Sequence, residues 1–277
     1  MDKALNFNEK KGFICDMDGV IYYGNQILPG VAEFIRWLQD EKKEYLFLTN
    51  NSGYTPKELN QKLARMGLDV PEEHFYTSAL ATAAFLREQA PGCSVFAIGE
   101  AGLLNALYDA GITMNDVNPD YVVVGEGRSY SLDTLTKATN LVMAGAKLIG
   151  ANSDVSGPTE EGIAPACRAL VAPIEMATGK QAYFCGKPNP LMMRTGLRML
   201  QCHSAEAHAS CFRDVVERHS AKSHHLVADY AMLPCLKKLL IAECPHVALL
   251  RNTVEYRTEC QIVTLILPLL HLLDGVA

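Results

Sequence analysis

Two aspartates separated by one residue, Asp16 and Asp18, have the clearest capacity for chemistry in this sequence. They follow an apolar strand candidate at residues 13–15, and the chain then reaches Gly19, which suits a turn. In doubly wound α/β proteins, ligands bind at the carboxyl ends of the strands. Two carboxylates at such a strand end can serve as a nucleophile and an acid or base, although an Asp pair alone is also compatible with capping a turn.

Polar side chains follow two further strand candidates. Thr49, Asn50 and Asn51 come after the second one, and their hydroxyl and amide groups can bind an anionic oxygen or cap a helix. Lys187 follows a strand candidate at 183–185 and can neutralise a phosphate or a carboxylate. Taken alone, a single Lys in a loop is more typical of a solvated residue.

The elements that must position these residues form an α/β pattern over residues 12–200, which predicts a parallel sheet with flanking helices. Helix starts and stops are marked locally, for example by the capping box of Thr55 and Glu58. The pattern restarts near residue 79, so we interpret 79–181 as an α/β domain inserted into a domain split between 1–78 and 182–277. The predicted strands are 13–15, 45–48, 94–98, 121–124, 148–151 and 183–185. The predicted helices begin near 31, 56, 78, 101, 132, 165 and 190.

The order of these motifs resembles a known family. An Asp-x-Asp-Gly at 16–19, a strand ending in Thr49-Asn50, an inserted α/β block and Gly186-Lys187-Pro188 are similar to the haloacid dehalogenase-like (HAD) phosphatases. The resemblance is greatest to the NagD-like or acid sugar phosphatase group (HAD-IIA) and covers about residues 10–207. It implies a Rossmann-like core with a C2-type α/β cap. The further similar stretches are Thr77 to Ala83, Asn118 to Tyr121, Val124 to Glu126, Asn152 to Asp154 and Pro165 to Cys167.

The resemblance also implies roles for the polar residues. Asp16 is expected to be the nucleophile that forms an aspartyl-phosphate, and Asp18 the acid and base, because a neighbouring carboxylate helps one of the pair keep its proton. Mg²⁺ is expected on Asp16, the carbonyl of Asp18 and a later acid. The expected substrate-binding residues are Thr49, Asn50, Asn51 and Lys187, and Lys187 is also expected to screen charge in catalysis.

The sequence departs from the family pattern at its fourth motif, where a strand ending in Gly-Asp supplies the later acid. By spacing, Cys211 and Phe212 occupy that place, and no apolar strand is predicted before them. The remaining candidates for the third acid are Asp214, Glu217 and Asp229.

Composition changes in the same region. Nineteen of the 20 glycines lie at or before Gly196, whereas seven of the eight histidines lie at or after His203. We interpret 208–277 as an atypical end of the core, produced by a shifted reading frame, a replaced C-terminus or divergence.

The sequence therefore predicts a Mg²⁺-dependent phosphatase that acts on small phosphorylated metabolites such as sugar phosphates or nucleotides. The alternative is a catalytically impaired HAD-fold protein that binds phospholigands. Residues near Asp154 and Pro165 to Arg168 are expected to line the leaving-group pocket. Val122 to Gly127 could begin a dinucleotide fingerprint, but its third Gly is absent, so a cap strand and loop are favoured.

Net charge and hydropathy limit which binding partners and which cellular location are expected. A formal net charge of −6 disfavours a nucleic-acid backbone as partner. The longest apolar run, Ile262 to Leu273, is shorter than the roughly 20 residues that span a bilayer, so no membrane partner is expected. Nine cysteines without framework spacing and a polar N-terminus favour a reducing cytoplasm. A homo-oligomer is compatible with the sequence.

Overall fold

The computed structural model describes residues 9–128, 130–159, 162–204 and 206–210, and within them strands alternate with helices. The strands are β1 (Gly12–Asp16), β2 (Tyr22–Tyr23), β3 (Gln26–Ile27), β4 (Glu44–Thr49), β5 (Phe75–Thr77), β6 (Ser94–Ile98), β7 (Thr113–Met114), β8 (Tyr121–Val124), β9 (Lys147–Gly150), β10 (Ser156–Thr159), β11 (Gly162–Pro165), β12 (Tyr183–Phe184) and β13 (Ala207–Ser210). The helices are α1 (Val31–Asp40), α2 (Pro56–Arg65), α3 (Ser78–Gln89), α4 (Ala101–Asp109), α5 (Leu132–Met143), α6 (Cys167–Thr178) and α7 (Pro190–Met199), with a 3-10 helix at Glu72–His74.

The first sheet has the order β13-β1-β4-β5, and all its pairs are parallel. Asp16 pairs with Leu48, and Thr49 pairs with Thr77. Because parallel strands end at the same edge of a sheet, Asp16 and Thr49 lie at one carboxyl edge. This is the placement that the sequence predicted for the two polar strand ends.

β13 corrects the expectation that no strand precedes Phe212. Ala207–Ser210 pairs with β1 in parallel, with Cys15 opposite Ser210. The segment lacks apolar alternation, and its pairing partner is β1, almost 200 residues earlier in the chain. Backbone pairing to a buried central strand therefore forms this strand without a local pattern.

The core of the first sheet is aromatic. Phe13 of β1 and Phe47 of β4 are fully buried and pack in one cluster with residues of α1 and α2. The ring of Phe13 contacts that of Phe34 edge to face, with centroids 6.0 Å apart. Burying a large apolar side chain is worth about 1.5–3 kcal/mol, so this cluster holds β1 and β4 firmly beneath the polar edge.

The second sheet has the order β12-β9-β8-β6-β7, also entirely parallel. Alternate residues of β8 face opposite sides, as strand geometry requires. Val123 packs in the cluster that contains residues of α3 and α4, whereas Val122 and Val124 pack in the cluster that contains residues of α5 and α6. This sheet is therefore covered by helices on both faces.

Two features of the strand pairing were not predicted. β12 pairs with β9, although the sequence interpretation assigned 182–185 to the first domain. A hairpin of β10 and β11, which forms a separate two-stranded sheet, precedes α6, and its last residue is Pro165, where the sequence predicted the helix to begin. The division of the chain into a core and a cap at residues 78/79 and 181/182 stays a prediction.

Local capping signals appear as the sequence predicted. The Thr55 side chain accepts from the backbone N–H of Glu58, and the Glu58 carboxylate accepts from that of Thr55, which completes the capping box of α2. Thr77 caps α3 in a similar way through the N–H of Leu80. Among the described helices, none is long and apolar enough to cross a membrane.

Candidate active site

Asp16 and Asp18 leave β1 in different environments. Asp16 ends the strand with 5% of its surface exposed, while Asp18 is exposed. The Asp16 Oδ1 accepts from the backbone N–H of Met17 at 2.7 Å. Gly19 then adopts a left-handed φ of 74°, which a glycine takes without strain, and its N–H donates to the carbonyl of Tyr22. The turn thus leaves one carboxylate buried at the sheet edge and the other open to solvent.

Lys187 supplies the charge that compensates Asp16. Its Nζ lies 2.5 Å from Asp16 Oδ2 and 3.4 Å from the carbonyl oxygen of Leu48. Only 2% of Lys187 is exposed. A buried charge is costly unless it is paired, so each of these two side chains offsets the cost of burying the other.

Thr49, the last residue of β4 and one of the three predicted phosphate-binding residues there, lies close to Asp18. Its Oγ1 is 3.5 Å from Asp18 Oδ2 and accepts from the backbone N–H of Asn51 at 3.0 Å. The Asn51 Oδ1 accepts from the N–H groups of Gly53 and Tyr54, both at 3.0 Å. The side-chain oxygen of Asn51 therefore holds the loop in an Asx turn.

Asn50 is committed to Lys187. Its Oδ1 accepts from the backbone N–H of Lys187 at 2.7 Å, and its Nδ2 donates to the carbonyl of Lys187 at 3.0 Å. The second hydrogen of Nδ2 goes to Asp154 Oδ2 at 2.9 Å. Because the amide has two hydrogens, both are engaged within the protein. The Asn50 side chain therefore binds the backbone of Lys187 through both its oxygen and its nitrogen.

Asp154, which marks the predicted leaving-group pocket, lies beside the charged cluster of Lys187, Asp16 and Asp18. Burial raises the pKa of its carboxyl, the Lys187 cation opposes this effect, and the carboxylates of Asp16 and Asp18 add to it. Arg168 was also predicted to line that pocket. Its guanidinium pairs with the Glu175 carboxylate at 3.0 Å.

Glu126 and Asn152, which follow strands of the second sheet, contact the loop after β4, and neither of them was assigned an individual role from the sequence. Glu126 follows β8 and accepts from the backbone N–H of Ser52 at 3.2 Å. Asn152 follows β9 and donates from Nδ2 to the carbonyl of Asn50 at 2.6 Å. The signal that could have identified them is their position directly after a parallel strand.

Tyr22 forms an isolated β-bridge with Asp18. Burial raises the pKa of its hydroxyl, and the Asp18 carboxylate acts in the same direction. The Nζ of Lys62 is 3.9 Å from the centroid of its ring, a cation–π distance. The phenol therefore stays protonated next to the exposed aspartate.

A carboxylate and a backbone carbonyl at a strand end are hard oxygen donors that Mg²⁺ accepts, since this ion uses one or two protein carboxylates together with waters and substrate phosphate. Asp16 and Asp18 fit that requirement. In the part of the chain that the structure describes, no group of three or more His, Cys, Asp or Glu could hold a metal. Asp214, Glu217 and Asp229 lie outside the described residues.

Comparison with known proteins finds similar phosphatases. A family model described as haloacid dehalogenase-like hydrolase matches residues 13–113. The dihydroxyacetone phosphatase of Corynebacterium glutamicum (strain R) is 44% identical over 192 residues, which are 69% of this chain and 70% of that protein. The ribonucleotide monophosphatase NagD of Escherichia coli (strain K12) is 44% identical over 196 residues, 71% of this chain and 77% of that one.

Solved structures are similar as well. NagD from Escherichia coli K-12 has a TM-score of 0.68 at 44% identity, covering 72% of this chain and 78% of that one. A 4-nitrophenylphosphatase from Thermotoga maritima has a TM-score of 0.70 at 31% identity, covering 73% and 78%. The predicted α/β fold class, with a parallel sheet and flanking helices, is confirmed.

Proposed function

Since this chain belongs to the haloacid dehalogenase-like hydrolases and is a phosphoric monoester hydrolase, we propose that it acts through an aspartyl-phosphate on Asp16 with Mg²⁺. One observation carries the proposal: the buried Asp16 is paired with Lys187 at 2.5 Å, beside the exposed Asp18. A buried carboxylate with a fixed cation and a solvent-accessible carboxylate next to it suit a nucleophile and a proton carrier.

In the first half of the reaction, a carboxylate oxygen of Asp16 attacks the phosphorus. A bond forms between this oxygen and phosphorus, and the bond from phosphorus to the leaving alcohol breaks. Asp18 donates its proton to the leaving oxygen, so the product departs as a neutral alcohol.

In the second half, water attacks the aspartyl-phosphate. Asp18, now ionised, accepts a proton from the water, and the bond between phosphorus and Asp16 breaks to release inorganic phosphate. Both aspartates return to their starting states, so the cycle consumes one water for each monoester. The exposure of Asp18 suits it to exchange protons with alcohol and water in turn.

Lys187 and Thr49 contribute charge and orientation. The Lys187 ammonium holds the Asp16 carboxylate in place and offsets the negative charge that accumulates as phosphate approaches. The Thr49 hydroxyl, 3.5 Å from Asp18, is placed to donate to a phosphoryl oxygen. Asn50 contributes by fixing the backbone of Lys187.

Mg²⁺ fits Asp16 and Asp18 in this proposal, with Asp18 contributing its carbonyl oxygen. When bound, the ion offsets negative charge on the phosphoryl oxygens and on the nucleophile. Asp214, Glu217 and Asp229 are the remaining candidates for the third acid, and none of them occupies the Gly-Asp position of the family pattern.

Small phosphate monoesters are the proposed substrate class. The similar proteins are named dihydroxyacetone phosphatase, ribonucleotide monophosphatase and, in a Staphylococcus saprophyticus relative at 40% identity, acid sugar phosphatase. These leaving groups differ while the phosphoester is shared, so selectivity is assigned to residues 79–181, the proposed cap, including Asp154. The impaired phospholigand-binding alternative is not favoured, because the named relatives are phosphatases. A cytoplasmic location and a homo-oligomer stay predictions.

Hydrolysis of p-nitrophenyl phosphate with and without Mg²⁺ tests the proposal. The parent chain should release p-nitrophenol, and Asp16→Asn should show no turnover because the amide is a poor nucleophile. The folded state of the variant is checked by circular dichroism. Appreciable turnover by Asp16→Asn would remove Asp16 as the nucleophile, and absence of turnover by the parent would favour ligand binding.

A Mg²⁺ titration addresses the third acid. Loss of an outer-shell partner at a metal site already costs about 10–100-fold in affinity or activity, so loss of a direct ligand should cost at least that. The parent should therefore need high Mg²⁺, and a chimera whose residues 207–277 are replaced by a family-type strand-Gly-Asp ending should need less. Since β13 is present, Phe212→Asp is a simpler second variant. Tight, saturable activation of the parent would show that one of its own acids already fills the position.

A further inference from the structure

We propose that Glu126 is a positioning residue for the reaction, acting from the second sheet on residues at the edge of the first. This inference deepens the proposed function and rests on it. Glu126 touches none of the reacting groups assigned above, but its carboxylate is held between two donors that lead to the phosphate-binding loop and to Lys187.

The first connection is a reciprocal pair of hydrogen bonds with Ser52. The backbone N–H of Ser52 donates to Glu126 Oε2 at 3.2 Å, and the backbone N–H of Glu126 donates to the Ser52 Oγ at 2.8 Å. Ser52 is fully buried, and a Cβ added at Gly125 would lie 3.0 Å from its Oγ. The loop after β4 is therefore fixed directly against the loop after β8.

The second connection passes through Asn152, which is also fully buried. Its Nδ2 donates to Glu126 Oε1 at 3.0 Å and to the carbonyl oxygen of Asn50 at 2.6 Å. The orientation of the Asn152 amide is set from its other end as well, since its Oδ1 accepts from the N–H of Asp154 at 3.1 Å.

The contacts continue from Asn50 to Lys187 and, through its ammonium, to Asp16. The Asn50 side chain binds both backbone polar groups of Lys187, and the Lys187 Nζ contacts Asp16. A Cβ added at Gly186 would lie 2.8 Å from Asn50 Oδ1, so the two segments approach as closely as backbone allows. A displacement of Asn50 would therefore move the ammonium relative to the nucleophile.

This role requires a carboxylate. Both oxygens of Glu126 accept hydrogen bonds from N–H donors, and a glutamine would turn an NH₂ group toward one of them. One donor, either the N–H of Ser52 or the amide of Asn152, would lose its partner in a buried place. Misplacement of catalytic groups by about 1 Å can cost on the order of 10²-fold in rate, so a 10–100-fold loss of kcat is expected for Glu126→Gln.

The test compares Glu126→Gln with Glu100→Gln as a matched control. The Glu100 Oε1 accepts from the backbone N–H of Arg128 at 2.7 Å, and a glutamine oxygen can still do so. Steady-state hydrolysis of p-nitrophenyl phosphate at saturating Mg²⁺ gives kcat and KM. Hydrogen–deuterium exchange, followed by mass spectrometry, reports on peptides covering 49–53 and 185–188.

Glu126→Gln is expected to lower kcat 10–100-fold with KM changed by no more than about threefold, and to speed exchange in both peptides, because transition-state contacts are weakened while the fold is kept. The control should match the parent. Unchanged kcat with unchanged exchange would overturn the inference. A lower thermal midpoint with unchanged kcat per folded molecule would overturn it too, because that result indicates a purely structural residue.

Failure of the proposed function gives a different result. If the parent does not hydrolyse the substrate, the exchange comparison still decides whether Glu126 holds the two segments. If Glu126→Gln cannot be obtained folded, Ser52→Ala replaces it, because this change removes the acceptor of the Glu126 N–H and keeps the Ser52 backbone. Faster exchange at 49–53 supports the inference, and parent-like exchange there overturns it.

Discussion

Removing the ammonium of Lys187 should destabilise the protein, apart from any effect on catalysis. The Nζ lies 2.5 Å from Asp16 Oδ2, with 2% of Lys187 and 5% of Asp16 exposed. Lys187→Met keeps an unbranched side chain of comparable length without the charge. The Asp16 carboxylate would then stay buried without this cation.

The expected size of the effect follows from the distance and the burial. Two unit charges 2.5 Å apart attract by about 7 kcal/mol at an effective dielectric constant of about 20, and desolvation of both groups offsets part of this. Loss of one partner of a buried pair costs about 3–5 kcal/mol. For a domain of about 150–250 residues, that corresponds to a fall in Tm of about 6–20 °C.

The assay is a double-variant cycle in urea, with EDTA present so that no divalent cation replaces the ammonium. Asp16→Asn combined with Lys187→Met removes both charges, and the double variant should lie within about 1 kcal/mol of the parent, because neutral replacement of a buried pair is often tolerated. Lys137→Met is the surface control. Its partner Asp116 is 2.6 Å away, but both side chains are well exposed, so no measurable change is expected.

The result that would refute this reasoning is additivity. If Lys187→Met costs little, or if the double variant is as unstable as the two single changes added together, the groups are not coupled through a buried contact. The proposal that Lys187 compensates the nucleophile would then fail. Recovery in the double variant without recovery of activity would support it, because stability needs only neutrality whereas turnover needs both groups.

Three further predictions address neighbouring residues. Asp18→Asn should keep the fold and slow turnover by about 10²-fold or more, and a parent-like rate in a stopped assay would remove its acid–base role. Gly186→Ala should destabilise by about 1–3 kcal/mol in urea, because its Cβ would lie 2.8 Å from the Ala151 carbonyl oxygen and from Asn50 Oδ1. Burial raises the pKa of the Glu126 carboxyl above its usual 4.5, so the folded state holds this proton more tightly and the group's contribution to stability falls as pH rises through that window. The stability of Glu126→Gln relative to the parent should therefore increase with pH above about 4.5, and a flat difference in urea midpoints from pH 4 to 7 would contradict it.

Much of the secondary structure was predictable because its signals are local. The capping box at Thr55 and Glu58 fixes where α2 begins, and Ser131 caps α5 so that its bounds, Leu132–Met143, match the apolar periodicity. Strands such as Tyr121–Val124 are continuous apolar runs, as expected for strands covered on both faces. In each case the residues that decide the structure lie within the element or beside it.

Pairing choices were not predictable in the same way. Tyr183–Phe184 has the composition of a strand, but only the fold decides that it pairs with β9 of the second sheet. Ala207–Ser210 has no strand pattern at all and depends on β1. The hairpin of β10 and β11 contains Gly and Pro, residues that weaken the strand signal, and its two strands stabilise each other.

In the candidate site, too, some features were predictable from the sequence and others were not. The rule that polar strand ends meet at one edge predicts the proximity of Asp16, Asp18 and Thr49, and the pairing of Asp16 with Lys187 agrees with the charge-screening role expected for the lysine. The commitment of Asn50 to Lys187 could not be predicted, because an amide suits a phosphate as well as a backbone. Only the three-dimensional arrangement shows which of these partners is in contact.

The strand Ala207–Ser210 shows which part of the fourth motif is missing from this chain. Because β13 is parallel to β1 and pairs Ser210 with Cys15, it ends at the edge of the sheet where Asp16 stands. The departure from the family pattern therefore concerns the residue types that follow Ser210 in sequence, since a strand that leads up to them is present. In sequence, Cys211 and Phe212 come next and neither offers a carboxylate, so the order of the chain itself makes Phe212 the position at which an introduced acid should matter most.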